Sequence, residues 1–103
     1  MYASVRKYLV DAERVDELMQ RVEETFAPRI EEMPGFVAYQ VINAGEDRVG
    51  KDIVISVTVC SDREAVDRSV EMASEFVSSE LSDVEVERIE AAEGEVGVSR
   101  GVQ

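Results

Sequence analysis

The chain has 103 residues, room for a single domain spanning 1-103. It carries 23 Asp and Glu against 11 Lys and Arg, a net charge of -12, and so negative a surface repels phosphate and excludes nucleic acid and anionic membranes as partners. It has no His and no Trp, which excludes a His-ligated haem, a His metal site and nucleophile systems that depend on imidazole. The lone cysteine, Cys60, can form neither an internal disulfide nor a thiolate cage, and a reducing cytoplasm is the expected setting. No basic segment leads into an apolar core at the N-terminus, so no signal peptide is expected, and no apolar run approaches the roughly 20 residues a membrane helix needs.

The acid excess has a particular character. Lys occurs only at Lys7 and Lys51, Leu only at Leu9, Leu18 and Leu81, while Val and Ala dominate the apolar set. Short carboxylates and few long cationic stems suit a protein dissolved in concentrated salt, where a Debye length of about 3 Å at 1 M screens self-repulsion. The sequence is therefore expected to be halophilic.

In chain order, Tyr2 to Val10 alternates as a strand, with Ala3, Val5 and Leu9 on one face and Tyr2, Ser4, Arg6 and Tyr8 on the other. Asp11 is placed to cap a helix whose apolar stripe is Val15, Leu18, Met19, Val22 and Phe26. Pro28 predicts a kink or a fresh helical start, and Pro34-Gly35 ends the segment. Phe36 to Asn43 reads as a second strand, with Phe36, Ala38 and Ile42 facing one way and Val37, Tyr39 and Val41 the other. Ala44 to Gly50 reads as a hairpin loop.

Asp52 to Cys60 is the strongest strand and is expected to be central, with Ile53, Ile55, Val57 and Val59 opposed to Val54, Ser56, Thr58 and Cys60. Ser61 to Glu64 reads as a capping box before a helix striped by Val66, Val70, Ala73, Phe76, Val77 and Leu81 and ending near Ser82-Asp83. Val84 to Ala91 reads as a fourth strand, and Gly94 to Val98 as a short fifth.

Two strand-helix-strand units with right-handed crossovers put both helices on one face of a four-stranded antiparallel sheet. The expected fold is the ferredoxin-like βαββαβ α+β sandwich. Strands two and three are apolar on both faces, so Val37, Tyr39, Val41 and Val54 are expected to be covered by a second copy in a homodimer.

Met33-Pro34-Gly35-Phe36-Val37-Ala38-Tyr39 and Ser56-Val57-Thr58-Val59-Cys60-Ser61-Asp62-Arg63-Glu64-Ala65 resemble the antibiotic biosynthesis monooxygenase superfamily of dimeric α/β barrels. The resemblance covers nearly the whole chain and marks the fold more than any chemistry. It implies a homodimer with facing sheets and a pocket between sheet and helices. It implies either a cofactor-independent monooxygenase of a small phenolic or quinol-like substrate, or a non-catalytic ligand-binding or stress-response protein. The haem-degrading branch uses an Asn, a Trp and a His that this chain lacks at the matching places.

The candidate pocket residues are Arg6, Tyr8, Tyr39, Ser56, Thr58 and Cys60. Arg6 and Tyr8 share a strand face and could hold a phenol and stabilise its oxyanion; the plainer reading has them closing the core and pairing with carboxylates. Tyr39 is expected to pack across the dimer. Ser56 and Thr58 are expected to hydrogen-bond cross-strand neighbours, with ligand contact as the alternative. Cys60 is expected to pack as a small hydrophobe, since Ser61-Asp62 offers no cation to activate a thiolate. Met72 and Phe76 read as core, and the clusters at Glu31-Glu32 and Glu85, Glu87 and Glu90 as solvated faces. Neither a metal site nor a cofactor is expected, and a small aromatic ligand is the partner the pocket suits.

Overall fold

The structure, a computed structural model, describes residues 1–101. It runs β1 (Tyr2–Asp11), a 3-10 turn (Ala12–Arg14), α1 (Val15–Arg21), a π-helical turn (Val22–Phe26), α2 (Ala27–Glu31), β2 (Phe36–Arg48), β3 (Lys51–Cys60), α3 (Arg63–Glu80) and β4 (Val86–Glu95). The strands form one antiparallel sheet in the order β2-β3-β1-β4. This is the ferredoxin-like α+β fold, with the helices packed on one face.

The first helical segment is continuous but irregular, and Pro28 is the cause. A proline lacks the N–H that would bond the carbonyl four residues earlier, and its ring crowds that carbonyl. Here Pro28 sits in the first turn of α2, and the turn before it widens to π geometry. The stripe survives the change: Val15, Leu18, Val22, Phe26 and Ile30 are all buried in one core with Val10, Val54, Phe76, Leu81 and Val84. Two arginines tie this segment to the end of α3. Arg21 Nη1 donates to Asp83 Oδ1 at 2.7 Å and to the Glu80 carbonyl at 3.0 Å, and Arg14 Nη2 reaches Asp83 Oδ2 at 3.2 Å. Glu17 accepts from both arginines, so the four charged groups form one network.

Several expectations change at the termini of the elements. Asp11 makes no side-chain capping bond. The cap of α3 is Asp62, which accepts from the Ala65 N–H at 2.9 Å, in place of the predicted Ser61–Glu64 box. Ser61 is engaged through its backbone, donating its N–H to the Gly35 carbonyl at 2.8 Å. The expected loop 44–50 is mostly strand: Gly45 sits at a register irregularity of β2, bonded through its N–H to Asn43 Oδ1 at 2.9 Å, and only Val49-Gly50 turn the chain. The fourth strand starts later than predicted and runs through Glu95. The Gly94–Val98 tail is therefore no separate strand; its first two residues end β4, and Val96 N–H bonds the Met1 carbonyl at 2.9 Å.

The faces of β2 also need correcting. A register shift between Phe36 and Ala38 makes Val37 an extra residue. Phe36 therefore joins Tyr39 and Val41 against the helical core, rather than facing with Ala38 and Ile42. Tyr39, Val41 and Val54 lie under the helices and need no second copy. The uncovered face is the other one, where Val5 pairs with Val57 and Ile42 with Ile55. Val5 and Ile42 are each about 40% exposed there (41% and 43%).

Candidate functional site

Period two sends Ser4, Arg6, Tyr8 and Val10 of β1 toward the helices, with Val5 on the opposite face. Directly opposed residues share a face, so Thr58 beside Ser4, Ser56 beside Arg6 and Val54 beside Tyr8 follow from β3. Tyr39 and Val41 stand opposite Thr58 and Ser56 on β2. Together with Leu18, Val22 and Phe26 below and Ser69, Val70, Ala73, Phe76 and Val77 on α3, they line one cavity of about 60 Å³. Both elements that line it from the first helical segment's irregular part, Val22 and Phe26, bound the π-turn, so the proline that widens the helix also shapes the wall.

The walls are mostly apolar and the polar groups converge from three strands. Arg6 is nearly buried and makes no ion pair among the described residues. Its Nη1 points to the Tyr8 hydroxyl at 3.5 Å, the outer limit of a hydrogen bond. The Tyr39 ring stands edge-on to Phe26, centroids 5.5 Å apart, and Phe26 in turn tilts against Phe76 at 5.2 Å. Burial pushes the Tyr39 phenol well above its ordinary value, the neighbouring Tyr8 adds to this and Arg6 partly opposes it. Tyr39 thus remains a neutral donor throughout the working pH range.

Of the six candidates, Arg6, Tyr8, Tyr39, Ser56 and Thr58 line this one cavity, and Cys60 does not. Cys60 is fully buried among Met33, Ala65 and Val66, where burial raises its thiol pKa and keeps it a packing group. Tyr39, expected to pack across the dimer, makes its ring contact with Phe26 inside the subunit. The expected cross-strand hydrogen bonds of Ser56 and Thr58 are absent among the described residues, because both hydroxyls face the cavity. Arg6, likewise, has no carboxylate partner among the described residues despite the acid excess.

Sequence reasoning passed over Ser4 and Ser69. Ser4 lies two residues before Arg6 on the same face, and Ser69 interrupts the apolar stripe of α3 one turn after Val66; both are buried. Ser69 satisfies itself by donating to the Val66 carbonyl at 2.6 Å. Two grooves adjoin the cavity at opposite edges of the sheet. One lies between the π-turn and β2, lined by Met19, Gln20, Val22, Glu23, Ala27, Tyr39 and Val41. The other opens at β4, where Ser4, Arg6 and Val70 meet Arg88, Ala91, Ala92 and Glu93.

No protein-family model and no curated protein matches the sequence. The fold has clear relatives among solved structures. HapK from Hahella chejuensis superposes with a TM-score of 0.76 over 100% of both chains, at 20% identity. A candidate antibiotic biosynthesis monooxygenase from Chloroflexus aurantiacus J-10-fl gives 0.69 over 99% of this chain and 98% of its own, at 17% identity. A variant of SnoaB, a cofactor-independent oxygenase from Streptomyces nogalater, gives 0.60 over 97% of each chain, at 15% identity. The resemblance read from the sequence is thus matched at the level of the fold, and identities this low show the fold alone. No helix among the described residues is long and apolar enough to cross a membrane.

Proposed function

We propose that this chain is a cofactor-independent monooxygenase of a small phenolic or quinol-like substrate, working as a homodimer. The observation that carries the reading is the convergence of Arg6, Tyr8 and Tyr39 with Ser56 and Thr58 in one apolar cavity. The fold shared with a cofactor-independent oxygenase supports it. In the overall reaction one oxygen atom of O2 enters the ring as a carbonyl and the other leaves as water. The substrate gives up its phenolic proton, a ring hydrogen and four electrons, so a phenol becomes a quinone and the equation balances without an added reductant.

Each group has a part in that chemistry. Arg6, a cation in a water-poor site, favours ionisation of the substrate hydroxyl and so makes the ring electron-rich. Tyr8 orients the same oxygen. Tyr39, held neutral by burial, donates a hydrogen bond to the oxyanion that develops on reduced oxygen. Val22, Phe26, Phe76 and Val77 keep water from the reacting ring.

The homodimer follows from the uncovered sheet face. Val5 and Ile42, with Val57 and Ile55 beside them, form an apolar surface that no helix among the described residues covers. A second copy of that face buries it in the isologous manner of a two-fold dimer. The acid-rich surface suits concentrated salt, and we place the protein's working environment there.

One observation favours the second reading, a non-catalytic binding or stress-response protein. A cavity of about 60 Å³ is smaller than the roughly 150 Å³ that accepts benzene, so an aromatic ring enters only if the wall yields. The test is oxygen uptake with a panel of quinols and phenols. Wild type is expected to exceed the uncatalysed oxidation, with Tyr8→Phe and Arg6→Ala each lowering the excess about tenfold or more, the effect of losing about 1.4 kcal/mol of transition-state binding. Rates in wild type equal to buffer select the second reading.

A further inference from the structure

Arg6 is 7% exposed, yet among the described residues no carboxylate lies within ion-pair reach of it. This is a chain with 23 acidic side chains to choose from. Six other cations, Lys7, Arg14, Arg21, Arg29, Arg48 and Lys51, all have acidic partners. A buried charge left without a counter-charge is costly, and folds ordinarily pair or neutralise it. A guanidinium cannot shed its proton in this pH range, so neutralisation must come from outside. Its single side-chain partner, the Tyr8 hydroxyl at 3.5 Å, is neutral and distant.

The surroundings of Arg6 are built for an oxygen-bearing group. Ser4 and Thr58, opposed across β1 and β3, are 4% and 7% exposed and line the same cavity as Arg6. Arg6 belongs to both the cavity and the groove at β4. On that groove Arg88 stands opposite Tyr8, on the helix side of the sheet, and it too makes no ion pair among the described residues. Glu93, opposite Ser4, is the groove's one carboxylate. The entrance thus has two cations against one anion on an otherwise strongly acidic molecule, so wherever low ionic strength leaves the field unscreened, negative solutes are drawn to this edge.

We infer that the ligand of this cavity is taken in as an anion, an aromatic oxyanion that enters at the β4 edge past Arg88 and seats its charge on Arg6. A phenolate and an arenecarboxylate present the same planar ring with a negative oxygen, and both fit this description. The inference rests on the cavity being a ligand site and names the charge state of what it takes; it does not depend on oxidation following.

The experiment is a binding titration without oxygen, by calorimetry, at a pH where every phenol used is ionised. The probes are 4-nitrophenolate and 4-nitrobenzoate, with nitrobenzene as the neutral ring of the same kind. Wild type is expected to bind at least one anion about tenfold or more tighter than nitrobenzene; which one it prefers identifies the oxyanion. Arg6→Gln removes that preference by weakening the anions far more than nitrobenzene, and Arg88→Gln weakens the anions by a smaller factor that vanishes in high salt. Arg6→Met is expected to melt at or above the wild-type temperature, because it removes an unpaired buried charge, whereas a structural arginine would lower it. Equal binding of anions and nitrobenzene by wild type, or a preference that survives Arg6→Gln, overturns the inference. Anion preference without oxygen uptake leaves it standing and removes the monooxygenase.

Discussion

The turn that delivers β2 to the cavity is the most exacting place in the fold, and Gly35→Ala tests it. Gly35 has φ +87, a conformation that costs a residue with a Cβ about 1–2 kcal/mol. A Cβ there would also stand 2.8 Å from the Ala65 Cβ and 2.9 Å from Ser61 Oγ, closer than van der Waals contact allows. The crowding is fixed from both sides, because the Gly35 carbonyl accepts the Ser61 N–H at 2.8 Å and Asp62 anchors the first turn of α3. Overpacking of this kind adds about 1–3 kcal/mol, for a total of about 2–5 kcal/mol. Gly45→Ala is the matched control: Gly45 has φ +91 and nothing within 4 Å of its added Cβ, so it bears the backbone cost alone.

Urea unfolding at one fixed protein concentration measures both. With a slope of about 2 kcal/mol per molar, Gly35→Ala lowers the midpoint by about 1–2.5 M and Gly45→Ala by no more than about 1 M. Ala65→Gly supplies the second check, since removing the opposing Cβ costs less in the Gly35→Ala background than in wild type. Equal midpoints for the two glycine variants, with Ala65→Gly equally costly in both backgrounds, would refute the claim that close approach to α3 fixes this turn.

Ile42→Asp and Val5→Asp each put a charge on the uncovered sheet face and are expected to convert a dimer to monomers by light scattering, with helix content by circular dichroism unchanged. The melting temperature is expected to climb steadily from low to molar KCl as screening relieves the -12 charge; a flat or falling trend would contradict the halophilic reading. The Arg21 guanidinium holds the Asp83 carboxyl well below its ordinary 3.8. A depressed carboxylate stabilises the fold above its unfolded pKa and loses that contribution as pH falls through the folded one. Asp83→Asn is therefore destabilising at neutral pH, by an amount that shrinks as the pH drops well below 3.8, and a gap that is constant with pH would contradict the network. Native Cys60 is expected to resist alkylation until the chain unfolds, because its thiol is fully buried and its pKa is raised.

Local chemistry was enough to place most elements. Alternation in Tyr2 to Val10 and Asp52 to Cys60, the stripe from Val15 to Phe26, and Pro34-Gly35 each act over a few residues, and the order of elements then restricts the sheet to β2-β3-β1-β4. Alternation also divided each strand into two faces, grouping Arg6 with Tyr8 in β1 and Ser56 with Thr58 in β3. Which of those faces meets the helices is a property of the whole sheet, because both sides of β1 and β3 carry apolar residues and local pattern cannot rank them. The extra residue at Val37 turned Phe36 over, and nothing in the local alternation marks a bulge whose cause is its pairing with β3. Gly45 looked like a loop for the same reason: a positive φ serves a strand irregularity as well as a turn. The unpaired state of Arg6 was the least legible feature of all. Composition promised it a carboxylate, and only the packing of three strands against α3 showed that it makes no ion pair among the described residues.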